Sequence, residues 1–486
     1  MTSGTSTPTA TGEALADPTT AAEATAWGTL AVLMVGTFIT VLDYFIANVA
    51  APSVQRDLNA SSAQIQGVIV GYGVAFTAGM ITGGRLGDVY GRRRMFALGL
   101  LLFTVASAAC GVAPNAEALI VARVVQGTAA ALMVPQVLGI LGTVYTGPSR
   151  AQAFNVYGLV IGLAGVFGQV IGGVLITVDV AGLDWRAVFL LNVPICLVAL
   201  AYTYRVVPES RGSARTRLDL TGAALVTATL VLLVVSLVEG REQGWPAWSF
   251  GCLALAAVLS GASVLHLRRR AARGADPLID PALFRGRGFS VGLAAMVAYF
   301  LAMGSFFFLL ALYLQQGRGL SPLESGLLFL ALGAGYFGSS LASMQLVARM
   351  GRWLVVAGPL TIAVGYTLVG ITVWATGSTG SPAWLVPALL VAGLGMGMTT
   401  GPLTNVVLTG VAPEHAASAS GAANTAQEGG AALGVAVAGA VFYPALGVAA
   451  RATDYPDAFD VALIPLVACC LVAATLALLL PGRRAQ

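Results

Sequence analysis

The chain has 486 residues, of which 57% are hydrophobic and only 9% are charged, and its net charge is +4. A soluble globular protein carries about 25% charged residues, so this composition excludes a water-soluble fold. The chain also contains no lysine. The phosphate-binding loop of an ATP-driven pump needs one, so such a pump is excluded as well.

The first 26 residues are rich in Thr, Ala, Ser and Pro, which predicts a disordered cytoplasmic tail. Beyond them, apolar runs of about 20 residues recur along the chain, as expected for an all-α protein with many membrane-spanning helices. The runs predict fourteen spans, at residues 27–51, 63–82, 95–112, 116–140, 152–177, 187–206, 218–239, 247–267, 289–315, 322–346, 353–375, 383–410, 417–447 and 458–480.

The placement of arginine predicts how these spans are oriented. Nineteen arginines fall on the side of both termini and five on the opposite side, while Arg123 lies within a span. Because short cytoplasmic loops are enriched in Arg and Lys, both termini are predicted to be cytoplasmic.

The stretch GRLGDVYGRRR (84–94) is predicted to be the cytoplasmic loop after the second span. A role in fixing the orientation of the spans explains the arginines of this stretch but not Asp88 or the glycines. A weaker copy, LVARMGRW (346–353), follows the tenth span, as expected for a transporter made of two related halves. The predicted division is a tail at 1–26, a six-helix half at 27–206, a linker at 207–288 with two inserted spans and a basic loop, a second six-helix half at 289–480, and a tail at 481–486.

Three spans carry a charge well inside the membrane, at Asp43, Arg123 and Glu428. At about 1.5 Å of rise per residue, the three lie roughly 13, 9 and 14 Å below the outer surface, in one layer. Embedded charges are costly and mark functional sites. Burial disfavours a charged carboxylate and a nearby arginine favours it. We therefore expect Asp43 to exchange protons under the influence of Arg123, and Glu428 to bind a proton or a cationic substrate.

Two simpler interpretations of these charges stay open. Asp43 and Arg123 are alternatively a static ion pair that holds the first and fourth spans together. Glu428 is alternatively a hydrogen-bonding group between packed helices.

Five motifs resemble those of the major facilitator superfamily, and within it the fourteen-span drug:proton antiporters. They are LDYFIANVAAP (42–52), GRLGDVYGRR (84–93), LIVARVVQGTAAA (119–131), GQVIGG (168–173) and DWRAVFLLNVP (184–194). Two positions depart from the family pattern. Gln169 stands where the antiporter motif usually has proline, and Gly67 stands where the group usually has tryptophan.

The resemblance implies roles for two of these motifs. A cytoplasmic latch that joins the halves and stabilises the outward-open state is expected from Gly84, Asp88, Gly91 and Arg92; topology and loop capping are the alternative. The antiporter motif comprises Gly168, Gln169, Gly172 and Gly173; simple packing through small residues is the alternative.

A hydrophobic substrate cavity is expected between the halves. The aromatic residues of YFLAMGSFFFLLALYLQ (299–315) are candidates for it, with lipid contact and helix packing as the alternative. The side chains predicted to line the cavity are Tyr72, Gln126, Tyr299, Phe300, Phe307 and Asn424.

The sequence thus predicts a proton-coupled antiporter of the bacterial plasma membrane that exports hydrophobic or cationic drug-like compounds. Its partners would be a small molecule, protons and the lipid bilayer, with no cofactor, metal or nucleic acid, and we expect a monomer. The alternatives are a dedicated exporter of one endogenous metabolite or antibiotic, and a receptor of the same fold that does not transport. GFSVG (288–292) matches a hydrolase motif but has no preceding strand, so we expect no enzyme.

Overall fold

The computed structural model describes residues 18–211, 219–275, 277, 279–408, 416–447 and 451–480, and these residues form helices and connecting turns without any strand. Thirteen helices are long and apolar enough to cross a membrane, and a bent helix near the N-terminus brings the candidate spans to fourteen. The predicted all-α fold and the predicted number of spans are confirmed.

Fifteen α-helices make up these spans, because α6 and α7 together form one span. Their bounds are α1 Pro18–Asp57, α2 Ser62–Tyr90, α3 Arg92–Gly111, α4 Ala116–Val144, α5 Gly147–Val178, α6 Arg186–Leu190, α7 Asn192–Val206, α8 Leu220–Glu242, α9 Ala247–Ala272, α10 Arg287–Leu312, α11 Pro322–Met350, α12 Arg352–Thr376, α13 Leu385–Leu408, α14 Ala416–Leu446 and α15 Tyr455–Leu478.

The first helix starts earlier than the composition predicts. It begins at Pro18, inside the segment 1–26 that was predicted to be a tail. Residues 1–17 and the C-terminal tail 481–486 lie outside the described residues.

The segment 84–94, predicted to be a loop, is helical except at one residue. Helix α2 bends by 48° between Met80 and Thr82 and continues to Tyr90. Gly91 alone interrupts the path to α3, with a φ of +107° that favours glycine. The prediction of a loop was wrong because glycine here serves helix contact: a Cβ on Gly87 would overlap the side-chain amide of Gln136 in α4.

The packing of helices repeats between the two ends of the chain. In the first half, α2 and α3 pack on α4, and α1 packs on α5. The second half repeats this arrangement, with α11 and α12 on α13, and α10 on α14. The halves meet where α5 packs on α11 and α2 on α14. This repetition supports the proposed division into two related six-span halves, with α8 and α9 between them.

The inserted hairpin lies against one of the two seams between the halves. Helix α8 packs on both α2 and α14, and α9 packs on α8. At the base of the hairpin, His266 Nε2 lies 2.8 Å from Asp219 Oδ1. The other seam, between α5 and α11, is where the antiporter motif lies.

Candidate functional site

The carboxylate of Asp43 lies at the centre of a buried polar network in the first half. It forms an ion pair with Arg123, and both side chains are fully buried. Its Oδ1 accepts hydrogen bonds from Gln126 Nε2 at 2.9 Å and from Asn192 Nδ2 at 2.8 Å. Ser107 Oγ accepts from the same two amide groups and donates to a backbone carbonyl. Four helices, α1, α3, α4 and α7, are thus joined at one carboxylate.

The guanidinium of Arg123 lies between this network and the aromatic wall of a cavity. Its Nε donates to the Val68 carbonyl at 3.1 Å, and its Cζ lies 4.3 Å from the centre of the Tyr72 ring. Such a cation–π contact is strengthened by the absence of water. Gly127 permits this approach of α4 to α2, because a Cβ there would lie 2.3 Å from the Tyr72 carbonyl oxygen.

A cavity lies between the two halves. Its walls come from α1, α2, α4 and α5 of the first half and from α10, α11, α13 and α14 of the second. The predicted cavity residues that line it are Tyr72, Phe300, Phe307 and Asn424. The wall is mostly apolar and aromatic, which suits a hydrophobic ligand.

Two residues predicted to line the cavity do not. Gln126 is fully buried in the Asp43 network, because its amide is needed to bond Asp43 and Ser107. Tyr299 is also buried, and its hydroxyl lies 2.7 Å from Thr400 Oγ1, which does line the cavity. In both cases another residue of the same helix lines the cavity, Val134 in α4 and Phe300 in α10.

Glu428 lines the cavity from the second half. The structure shows no hydrogen bond or ion pair to its carboxylate among the described residues. The alternative that Glu428 forms a hydrogen bond between packed helices therefore has no partner group among the described residues. The neighbouring polar groups Asn424 and Gln427 line the same wall of α14, at helical spacing, and Gln427 was missed by the sequence analysis.

One aromatic side chain of the cavity wall contacts the partner of Asp43. Tyr72 lines the cavity on one side and contacts Arg123 with its ring, and its hydroxyl donates to the Thr40 carbonyl at 3.2 Å. Asp43 therefore faces neither lipid nor bulk water. A movement of Tyr72 would connect the buried ion pair to the cavity.

The antiporter motif lies where α1, α5 and α11 meet. A Cβ on Gly172 would lie 2.7 Å from Ile46 of α1. A Cβ on Gly173 would lie 2.5 Å from the Pro322 carbonyl oxygen and 2.8 Å from Leu323 Cα, both in the other half. Gly168 likewise comes close to α1, with 3.1 Å between its ideal Cβ and the Leu42 carbonyl oxygen. Two motif glycines thus fit α5 against α1, and the third fits it against the second half.

Hydrogen bonds join the halves at the end of the molecule where α1 ends, which we name the outer end. Gln315 Nε2 donates to the Val49 carbonyl at 3.1 Å, and Gln316 Nε2 donates to Gln55 Oε1 at 2.9 Å. Both glutamines lie in a π-helical turn, Tyr313–Gly317, that follows α10. Such turns are rare and frequent at functional sites. These bonds between the halves were not predicted from the sequence.

The predicted latch residues bond within the first half in this conformation. Arg92 pairs with Asp88 Oδ1 at 2.9 Å and donates to the Gly139 carbonyl of α4, also at 2.9 Å. Gly91 leaves room for Glu209, whose Oε1 would lie 2.7 Å from a Cβ there. Among the described residues, the side-chain bonds of Asp88 and Arg92 hold α2 to α3 and α4 and do not join the two halves, so the latch stays a prediction.

We expect Asp88→Ala to shift the protein further toward the state with a closed outer end. The shift follows because a latch made by Asp88 between the halves would stabilise only the other conformation. A partly exposed charged contact of this kind contributes about 1 kcal/mol, or roughly a fivefold change in the two populations. Spin-label distances across the inner ends of the halves would measure that change. Arg94→Ala is the control, since its side chain is 60% exposed and its Nε lies 3.7 Å from Glu209. Unchanged populations in Asp88→Ala would refute the latch.

Comparison with known proteins identifies the family. The family model described as Major Facilitator Superfamily matches residues 33–435. The chain belongs to the major facilitator superfamily. It is therefore a multi-pass membrane protein and a carrier of small molecules, not an enzyme.

Individual relatives extend this result. The chain is 40% identical over 435 residues to the "Probable actinorhodin transporter" of Streptomyces coelicolor, covering 88% of this chain and 74% of that one. It is 37% identical over 419 residues to "Puromycin resistance protein pur8" of Streptomyces alboniger, covering 85% and 80%. The fold matches that of the xylose transporter XylE from E. coli with a TM-score of 0.62, 14% identity, and coverage of 95% and 99%.

Proposed function

We propose that this major facilitator protein is a proton-coupled efflux antiporter that exports hydrophobic or cationic drug-like compounds across a bacterial plasma membrane. The observation that carries the proposal is Glu428, a carboxylate without a partner among the described residues, in a mostly apolar cavity between the two halves. A charged carboxylate in such a place is costly unless a proton or a cation neutralises it. Either occupant, but not both together, would satisfy Glu428.

The conformation supports alternating access. The outer end is closed by Gln315, Gln316 and the Gly173 contact, while the cavity extends past Met80 and Tyr157 toward the end where α1 begins. With the termini in the cytoplasm, as the arginines predict, this is an inward-facing state. Rocking of the halves about the central cavity would expose the same site to the other side.

Asp43 is proposed as a second proton site that is coupled to the first through Tyr72. A proton on Asp43 would remove the charge that balances the buried guanidinium of Arg123. Arg123 would then have to move, and with it the Tyr72 ring that it contacts in the cavity wall. Protonation in the first half would in this way change the shape of the substrate site.

The names of the relatives favour a second candidate, a dedicated exporter of one antibiotic. Several relatives at 30–40% identity are named for export of, or resistance to, single compounds, such as actinorhodin, puromycin and tetracenomycin C, whereas one at 30% is named "Multidrug resistance protein Stp". An efflux assay against a panel of compounds in a pump-deficient host, with and without a protonophore, separates the candidates. Export of one scaffold supports the dedicated exporter, and binding without export supports a receptor. We further propose a monomer with both termini in the cytoplasm.

Glu428→Gln tests the central proposal. We expect proton-driven transport of a cationic probe such as ethidium into everted vesicles, which corresponds to export from the cell, to fall about tenfold or more, because an ionic hydrogen bond in an apolar site is lost. Asp460→Asn is the matched control, since Asp460 also has a buried carboxylate oxygen without a hydrogen bond but does not line the cavity. Gradient-driven export of ethidium by Glu428→Gln at the wild-type rate would contradict the proposal.

A further inference from the structure

Gln169 departs from the family pattern at a position that faces the cavity. It replaces the usual proline of the antiporter motif, and α5 runs through this point as one helix, Gly147–Val178. Its backbone carbonyl lies 2.6 Å from the ideal Cβ position of Gly326 in the other half. Its side chain is fully buried and lines the cavity. The substitution therefore brings an amide group to a wall of the cavity, at the seam between the halves.

The amide of Gln169 is only half satisfied. Its Nε2 donates to the Phe45 carbonyl at 3.2 Å. A carbonyl only accepts hydrogen bonds, so this contact fixes which end of the amide is the nitrogen. The other end, Oε1, is buried and has no hydrogen-bond partner among the described residues. Buried polar atoms without partners are rare in native proteins, and each one needs an explanation.

Aromatic rings line the same cavity as Gln169. The rings of Phe45 and Phe307 lie 4.9 Å apart between centres, and those of Phe307 and Phe329 lie 5.5 Å apart, nearly parallel. This row of rings runs from α1 through α10 to α11, and all three residues line the cavity. Gly165, one turn from Gln169, has its ideal Cβ position 3.3 Å from the Phe45 ring. A flat aromatic ligand in the cavity would stack on these rings and donate a hydrogen bond to Gln169 Oε1.

We propose that Gln169 is a specificity-determining residue whose Oε1 accepts a hydrogen bond from a hydroxyl or N–H group on an aromatic substrate. The substrate ring would lie against Phe45, Phe307 and Phe329. This inference rests on the proposed function in one respect, that the cavity holds the exported molecule. It adds the substrate class: hydrogen-bond donors attached to aromatic rings, whether or not they carry the positive charge that Glu428 would bind.

A structural role for the same amide predicts something different. Gln66 is also fully buried, with an Oε1 that lacks a hydrogen-bond partner, yet it does not line the cavity. If an unsatisfied buried glutamine were merely tolerated in this fold, replacing Gln169 and replacing Gln66 would change ligand affinities to the same extent. If Gln169 recognises a donor, only its replacement would change the discrimination between ligands.

The experiment measures binding of 2-naphthol and 2-methoxynaphthalene, which differ by one hydrogen-bond donor, to the full-length protein in lipid nanodiscs without a proton gradient. We expect the wild type to bind 2-naphthol about fivefold to tenfold more tightly. Gln169→Met, which keeps the size but lacks the acceptor, should bring the two affinities together. Gln66→Met should leave the ratio unchanged. Gln169→Leu is the second variant if the methionine variant unfolds.

Three results would overturn the inference: no preference for 2-naphthol in the wild type, an unchanged ratio in both Gln169 variants, or an equal change in Gln66→Met. Because binding is measured without a gradient, a failure of proton coupling leaves this test intact. Conversely, gradient-driven export of ethidium that depends on Glu428 would still support the proposed function even if replacing Gln169 left the preference for 2-naphthol unchanged.

Discussion

Asp43→Asn is expected to abolish proton-driven efflux and to destabilise the protein by about 3–5 kcal/mol. The stability loss follows because the variant leaves Arg123 as a fully buried charge without its partner. The transport loss follows if protonation of this carboxylate moves Arg123 and Tyr72. Proton-driven transport into everted vesicles and thermal unfolding of the purified protein would measure the two effects separately.

The double variant Asp43→Asn, Arg123→Gln separates coupling from folding. Removing both charges eliminates the uncompensated guanidinium, so much of the lost stability should return. If Asp43 is the coupling acid, transport should stay absent in the folded double variant. If efflux returned to the wild-type rate, the pair would be the static connection between α1 and α4 that the sequence analysis left open.

The depth of embedded charges could be predicted from the sequence, but their partners could not. Helical rise alone places Asp43 and Arg123 in one layer, and the structure joins them in an ion pair. Gln126 and Asn192 complete that site from two motifs that the sequence analysis quoted. Gln126 was predicted to line the cavity, and that prediction was wrong. Helical periodicity does not decide which polar face of a helix meets a cavity and which meets a neighbouring helix.

The glycines of segment 84–94 show a second limit. Glycine is typical of turns, and the density of glycine and charge there predicted a loop. In the structure only Gly91 has a conformation that favours glycine, while Gly87, like Gly83 just before the segment, allows α2 to contact α4. Turn formation and close helix approach select the same residue in a membrane protein. Only the partner helix, which the sequence does not identify, distinguishes the two.

The closure at the outer end had no signal in the sequence. Gln315 and Gln316 end an apolar run and look like ordinary residues of a span terminus. Their bonds to α1 depend on a π-helical turn and on the approach of the two halves. Each bond joins residues that are more than 250 positions apart in the chain. Contacts of this kind are set by tertiary packing, not by local pattern.

Gly173→Leu is expected to reduce transport about 100-fold by preventing closure of the outer end. The ideal Cβ position of Gly173 is 2.5 Å from the Pro322 carbonyl oxygen, and backbone atoms of the opposite half cannot give way as a flexible side chain does. The cost falls only on the state in which α5 and α11 touch. A bias of about 2.7 kcal/mol against that state is enough for a 100-fold change in its population.

Gln55→Cys with Gln316→Cys would report that closure directly, since the native side chains meet at 2.9 Å across the halves. Crosslinking of these two cysteines by a short bis-maleimide, which spans the length of the two native side chains, should be efficient on its own and should fall steeply when Gly173→Leu is added. Gly158→Leu is the matched control on the same helix, because no atom lies within 4 Å of its ideal Cβ position. Loss of transport with undiminished crosslinking would locate the role of Gly173 in packing within the first half. The antiporter motif would then not govern the outer end.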